Sequence, residues 1–103
     1  RGITGFYAGQ DIGLEGITLV LGRDHNAAQL VYPDNVTEIS KRHCQLRQDQ
    51  ATGKLTLEDL GSSNGTFLSS GKALRPGAAV ELKVGDRFYL ASTANQFEIA
   101  GDQ

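Results

Sequence analysis

Lys54-Leu55-Thr56-Leu57-Glu58-Asp59-Leu60-Gly61-Ser62-Ser63-Asn64-Gly65-Thr66 decides the fold. Its first five residues alternate polar and apolar side chains, the period of a strand buried on one face only. Gly61 to Gly65 then supplies turn chemistry: Gly reaches positive φ without a Cβ clash, and Ser and Asn bond to nearby backbone. Working outward, the same pairing of strand and turn recurs. Ile17-Thr18-Leu19-Val20-Leu21, Cys44-Gln45-Leu46-Arg47, Arg87-Phe88-Tyr89-Leu90 and Gln96-Phe97-Glu98-Ile99 read as strands. Gly9-Gln10, Gly22, Pro33-Asp34-Asn35, Thr52-Gly53, Ser70-Gly71, Pro76-Gly77 and Gly85-Asp86 read as turns. No window of helical length carries apolar residues at i, i+3, i+4 and i+7 free of Gly or Pro. Short strands with frequent turns describe an all-β antiparallel sandwich or barrel. Its inward set is expected to be Leu19, Leu21, Leu30, Cys44, Leu46, Leu55, Leu57, Leu60, Phe67, Val80, Leu82, Phe88, Leu90, Phe97 and Ile99, enough for one core between two sheets.

The chain has 103 residues, 39% hydrophobic and 21% charged, which suits one globular domain spanning 1–103 rather than a disordered segment. It begins at Arg1 and contains no Met, so it is expected to be a segment of a longer protein. Its apolar runs are far shorter than a membrane helix requires, and no signal peptide is expected. A net charge of −2 argues against general nucleic-acid binding, which depends on summed Lys and Arg. One cysteine excludes an internal disulfide, and Cys44 with His25 and His43 is too small a set for structural zinc. Neither a metal nor another cofactor is expected.

Three segments place polar and basic side chains where a sandwich needs only turn formers: Gly22-Arg23, Ser40-Lys41-Arg42-His43, and Asp59 to Thr66. Each adjoins a predicted strand, so all three can meet at one end of the sandwich, where loops build sites. The chemistry suits a phosphorylated peptide. Arg23 offers a two-pronged, permanently charged donor, Ser40 a compact hydroxyl, Lys41 a second cation, and Ser63 a donor from the opposite loop. Asn64 carries an amide donor and acceptor together, able to grip a peptide main chain.

In order and spacing these segments, with the later Leu82-Lys83-Val84-Gly85-Asp86-Arg87-Phe88, resemble the forkhead-associated (FHA) domain. The likeness runs from Ile17 to Ile99. It implies an eleven-stranded β-sandwich of the FHA / SMAD-like class that is not an enzyme. The resemblance further implies that Arg23, Ser40, Lys41 and Ser63 hold the phosphate of a phosphothreonine and that Asn64 holds the peptide main chain. Gly22, His43 and Gly65 are then structural supports of the loops, with Gly65 needed for a positive-φ turn. In some relatives a basic residue two places before the motif Ser reads an acidic side chain of the peptide; that position here is Glu38, expected to repel an acid. Lys41 keeps the charge of the Arg found in other relatives but lacks the planar fork.

The implied role is docking a parent protein onto partners phosphorylated by a Ser/Thr kinase, the kinase or the parent chain itself included. The expected setting is the cytoplasm, and the compact turns suggest a bacterial source. The alternative is an FHA-like assembly domain that no longer reads phosphate. Other motifs fail. Gly61 to Thr66 lacks the Gly-Lys-Ser/Thr ending of a nucleotide loop. His43 and Cys44 are strand neighbours and point to opposite faces. Ser40, His43 and Asp59 lack a nucleophile elbow. The sequons at Asn35 and Asn64 have no secretory context.

Overall fold

The computed structural model describes residues 1–12, 18–49 and 51–99. Within them the chain forms β1 (Thr18–Gly22), β2 (Leu30–Val31), β3 (Cys44–Gln48), β4 (Leu55–Asp59), β5 (Thr66–Leu68), β6 (Val80–Leu82), β7 (Arg87–Leu90) and β8 (Gln96–Glu98), with a 3-10 turn at Thr93–Asn95 before β8. They make a five-stranded sheet in the order β2-β1-β3-β4-β6 and a three-stranded sheet in the order β5-β7-β8. This is the expected two-sheet, almost helix-free fold. Ile17, expected to open the first strand, lies outside the described residues.

Eight strands are described where eleven were expected. Gly2↔Phe97, Asp59↔Pro76 and Phe67↔Ala73 pair as isolated bridges, too short to count as strands. The sheets are also not wholly antiparallel, since β1 and β2 run parallel with Leu21 opposite Leu30. The chain leaves β1 at Gly22, turns on the Asp24 side chain, which accepts from Asn26 N–H at 2.9 Å, and returns in the same direction.

The inner faces carry Leu19, Leu21, Leu46, Leu57, Leu82, Phe88, Leu90 and Phe97, all buried. Each fully buried side chain of this size contributes about 2 kcal/mol relative to exposure. Phe88 stacks on Phe97 across the β7–β8 pair with centroids 5.5 Å apart. Leu55, Val80 and Ile99 pack at the margin of this core. Leu60 and Phe67 do not take the inward positions expected of them. Both are half-buried, and the neighbouring slots go to Asp59 and Thr66, which are buried. Phe67 instead stacks on Tyr89 with centroids 5.1 Å apart.

Register places the loops. Leu21 pairs with Cys44 and Cys44 with Asp59, so β1 ends, β3 begins and β4 ends at one level. Thr66 pairs with Leu90, where β5 begins and β7 ends. The connections at 23–29, 40–43, 60–65 and 91–95 flank these paired ends.

Candidate functional site

Gly22 sets how closely two of these loops approach. A Cβ there would stand 2.0 Å from the Lys41 carbonyl oxygen, so any other residue would push the Ser40-Lys41 turn away from β1. With glycine the two segments join by backbone bonds from Arg23 N–H to the Ser40 carbonyl, 3.3 Å, and from Asp24 N–H to the Lys41 carbonyl, 3.1 Å.

The Arg23 guanidinium donates through Nε to the Ile39 carbonyl and through Nη1 to the Asp34 carbonyl at 3.4 Å. Both acceptors are neutral, and among the described residues no carboxylate pairs with Arg23. The side chain is thus oriented by carbonyls and not by an ion pair. Beside it, Arg23, Asp24, His25, Asn26, Asp34 and Lys41 line a recess of about 230 Å³. Lys41 is exposed and also lacks an ion pair among the described residues, whereas Arg42 lies 4.0 Å from Asp24. A larger recess of about 1080 Å³ opens elsewhere, beside Leu55, Lys83 and Val84, and contains none of the candidate residues. Chemistry rather than size therefore selects the smaller one.

Ser40 Oγ accepts from Ser63 N–H at 3.0 Å. A hydroxyl that accepts keeps its own proton to donate. Ser63 thus meets Ser40 through its backbone, and the residue is exposed.

His43 is completely buried and ties the loops together. Its Nδ1 accepts from Ser40 N–H at 3.1 Å, and Nε2 lies 2.7 Å from the Gly65 carbonyl. A backbone N–H can only donate and a carbonyl only accept, so the proton sits on Nε2. Burial holds this imidazole below its ordinary pKa, against opposing pulls from the Gly65 carbonyl and Asp59. Gly65 has φ +88°, and its carbonyl also accepts from Ala91 N–H at 2.9 Å, which brings in the three-stranded sheet.

Asp59 forms the floor. It receives Gly61 N–H and Ser62 N–H at 3.0 Å each, Thr66 Oγ1–H at 2.7 Å, and the Ser62 hydroxyl. Burial works to raise the Asp59 carboxyl, and the donors from Ser62, Thr66 and Gly61 outweigh it, leaving the group below its usual range. Ser62 Oγ in turn accepts from Gly65 N–H at 3.0 Å, which closes the loop on itself. No Ser/His/Asp relay exists here: His43 contacts the Ser40 backbone, and Asp59 is saturated by its own loop. Cys44 is fully buried, and burial pushes its thiol up, away from nucleophile chemistry.

Asn64 donates through Nδ2 to the Glu38 carbonyl at 2.9 Å. Its second amide proton and its Oδ1 remain for a ligand. The Glu38 carboxylate accepts from Asn95 Nδ2 and from Ser92 Oγ at 3.4 Å, so it is turned toward the 3-10 turn. Arg23, Ser40, Lys41, Ser63 and Asn64 are thus brought to one end. Asp59, Ser62, Thr66 and Asn95 were not singled out as site residues. Asp59 and Thr66 carried one sequence signal, polar residues at strand ends in line with inward positions, while Asn95 carried none.

A family model described as FHA domain matches residues 19–91. Vacuolar protein sorting-associated protein 64 of Saccharomyces cerevisiae is 43% identical over 63 residues, covering 57% of this chain and 10% of that protein, so the chain spans about a tenth of that relative. The FHA domain of an Arabidopsis thaliana hypothetical protein superposes with a TM-score of 0.76 at 28% identity, over 99% of this chain and 85% of that one. The N-terminal FHA domain of S. cerevisiae RAD53P, solved in complex with a phosphothreonine peptide, gives a TM-score of 0.60 at 25% identity over 77% of this chain and 61% of that one. Similar structures come from plant, fungal and bacterial proteins alike.

Proposed function

Since the chain belongs to the FHA domain family, we propose that it is a phosphothreonine-dependent binding module, and that Arg23, Ser40 and Lys41 hold the phosphate. The observation that carries this reading is the Arg23 guanidinium, fixed by two neutral carbonyls with no ion pair among the described residues and sharing its recess with a second cation, Lys41. A phosphate brings up to two negative charges and three acceptor oxygens, the complement of that set. Ser63 assists from the facing loop. Asn64 takes the peptide main chain with its remaining amide proton and its Oδ1. Gly22, His43 and Gly65 hold the loops in place, and no catalytic step is assigned to any residue. The RAD53P domain, a similar fold solved in complex with a phosphothreonine peptide, supports the class of ligand proposed.

The partner is a protein phosphorylated by a Ser/Thr kinase, the kinase or the parent chain among the candidates, met in the cytoplasm. Among the described residues no helix is long and apolar enough to cross a membrane. Calorimetry with a peptide selected from a phosphothreonine library tests the proposal. The phosphothreonine peptide binds in the micromolar range, about −8 kcal/mol, and its unphosphorylated twin does not bind. Its phosphoserine twin binds several-fold more weakly, since one buried methyl is worth about 0.8 kcal/mol. Equal binding of the phosphorylated and unphosphorylated peptides overturns the reading and leaves a phosphate-independent assembly domain.

A further inference from the structure

Asn64 has to present one face of its amide to a ligand, and something must decide which. The Glu38 carbonyl at 2.9 Å can only accept, so the NH₂ end is the end that faces it. The oxygen is thereby left on the opposite side. The position of that carbonyl is itself held from outside the loop. Glu38 is an exposed residue in the connection between β2 and β3, yet its carboxylate is pinned by Asn95 Nδ2 and by Ser92 Oγ, 54 to 57 residues further along the chain. Asn95 is buried, and both protons of its amide are in use, one on Glu38 and one on the Leu90 carbonyl at 3.1 Å. Since both partners are acceptors, the orientation of Asn95 has no alternative. Its backbone N–H bonds the Ser92 carbonyl at 3.0 Å, which fixes it in the 3-10 turn.

The N-terminal segment closes over this anchor. A Cβ on Gly5, whose φ is +87°, would stand 2.4 Å from the Ala94 carbonyl oxygen and 2.9 Å from Asn95 Oδ1. Thr4 Oγ1 donates to the Thr93 carbonyl at 2.5 Å and accepts from Gln96 N–H at 3.0 Å. Residues 2–5 and Asn95 all lie beyond the segment 19–91 that the family model matches.

We infer that Asn95, acting through Glu38, is a positioning residue that orients the Asn64 amide for the peptide main chain. This rests on the reading of Asn64 as the main-chain ligand. It also gives the Glu38 carboxylate a role that depends on hydrogen bonding and not on charge, which two variants separate. Glu38→Gln and Glu38→Ala remove the same charge, but only Gln keeps an oxygen that can accept from Asn95.

The experiment uses the whole chain, a phosphothreonine peptide selected from a library, and the Asn64 side-chain NH₂ resonances in the free protein. Glu38→Ala and Asn95→Ala are each expected to displace those resonances and to weaken the peptide about five- to tenfold, the worth of one well-placed hydrogen bond. Glu38→Ala/Asn95→Ala weakens it no further, because the bond is broken once. Glu38→Gln leaves the resonances in place and restores the affinity lost in Glu38→Ala. Glu38 is exposed, so the Ala and Gln pair decides the matter even where Asn95→Ala fails to fold. The inference is overturned if Glu38→Ala leaves the Asn64 resonances unmoved, or if Gln and Ala behave alike. Asn64→Ala serves as the reference: if it binds the peptide as tightly as the parent, the assignment of Asn64 to the main chain fails, and the resonances still decide the orientation.

Discussion

Asp59 and Arg23 lie at the same end of the sandwich and answer charge in opposite ways. Asp59 is 2% exposed and saturated, with four donors from its own loop and from Thr66. Arg23 is half-buried and touches only neutral carbonyls. The first arrangement is what a fold requires of a buried carboxylate, since an unpaired one costs several kcal/mol. The second leaves something undone. A guanidinium oriented without a counter-ion gains from an arriving anion without having to break an existing pair. The end of the sandwich is therefore two layers: a floor of Asp59, Ser62, Thr66 and His43 that holds shape, and a rim of Arg23, Ser40, Lys41, Ser63 and Asn64 that is free to bind. Substitutions in the floor should cost stability and those in the rim affinity.

Removing Asp59 tests the floor most severely. Asp59→Ala leaves the buried Thr66 hydroxyl and the Gly61 and Ser62 N–H groups without their acceptor, and should cost about 3 to 5 kcal/mol in chemical denaturation. The pH dependence has a definite sign. A carboxyl held below its unfolded pKa contributes stability above that value, and the contribution is lost as pH falls through the folded value. The parent should therefore lose stability in acid more steeply than Asp59→Ala. A variant within 1 kcal/mol of the parent would dissolve the distinction between floor and rim.

The rim comes next in size. Arg23→Ala should lose about 2 to 5 kcal/mol of phosphopeptide binding, the range for truncating one partner of a charged, hydrogen-bonded contact, with a nearly unchanged Tm. Calorimetry paired with thermal melting reads both. A fall in Tm as large as that of Asp59→Ala would move Arg23 into the floor.

The two layers were not equally legible in the sequence. The rim showed itself because Arg and Lys in turns have little structural reason to be there, and their spacing with Ser40 and Asn64 resembled a known family. The alternation that revealed β1, β3, β4, β7 and β8 failed at the ends of β4 and β5. There a one-residue shift exchanges inside for outside, and hydrophobicity favoured Leu60 and Phe67 over Asp59 and Thr66. The polar pair wins those slots because each satisfies the other. Tyr32, Ile39 and Leu74 are buried from loops, where no period applies. Asn95 depends on a partner 57 residues away, a distance no local pattern spans.

His43 sharpens the comparison because it belongs to the floor yet touches the rim. His43→Ala should cost about 2 to 3 kcal/mol through the lost volume and the unpaired Ser40 N–H. Its titration has its own sign. Burial holds the folded pKa below the unfolded value of about 6.5, so the unfolded chain takes up the proton first, and stability falls as pH drops below that value. Protonation also puts a second donor against Ser40 N–H, which should loosen the Ser40 turn. A stability profile measured from pH 8 to 5 should steepen below pH 6.5 in the parent and be flatter in His43→Ala. Identical profiles would remove His43 from the floor.

The smallest effect tests whether the rim extends to Glu38. A carboxylate there was expected to repel an acidic side chain three residues beyond the phosphothreonine. In the structure its charge is already engaged by Asn95 and Ser92, and the residue remains exposed. Water and salt screen what is left of its field, and exposed pairs of this kind are worth well under about 1 kcal/mol. Peptides carrying Asp or Lys at that position should therefore differ by less than about threefold at low salt, Lys the tighter, and converge at high salt. Glu38→Gln removes the charge while keeping the bond to Asn95, so it should abolish the preference without lowering affinity for either peptide. A preference for Asp in the parent would assign the reading of that position to a cation, with Lys41 and Arg42 the nearest in sequence, and a preference for Lys that survives Glu38→Gln at low salt would assign it to another carboxylate.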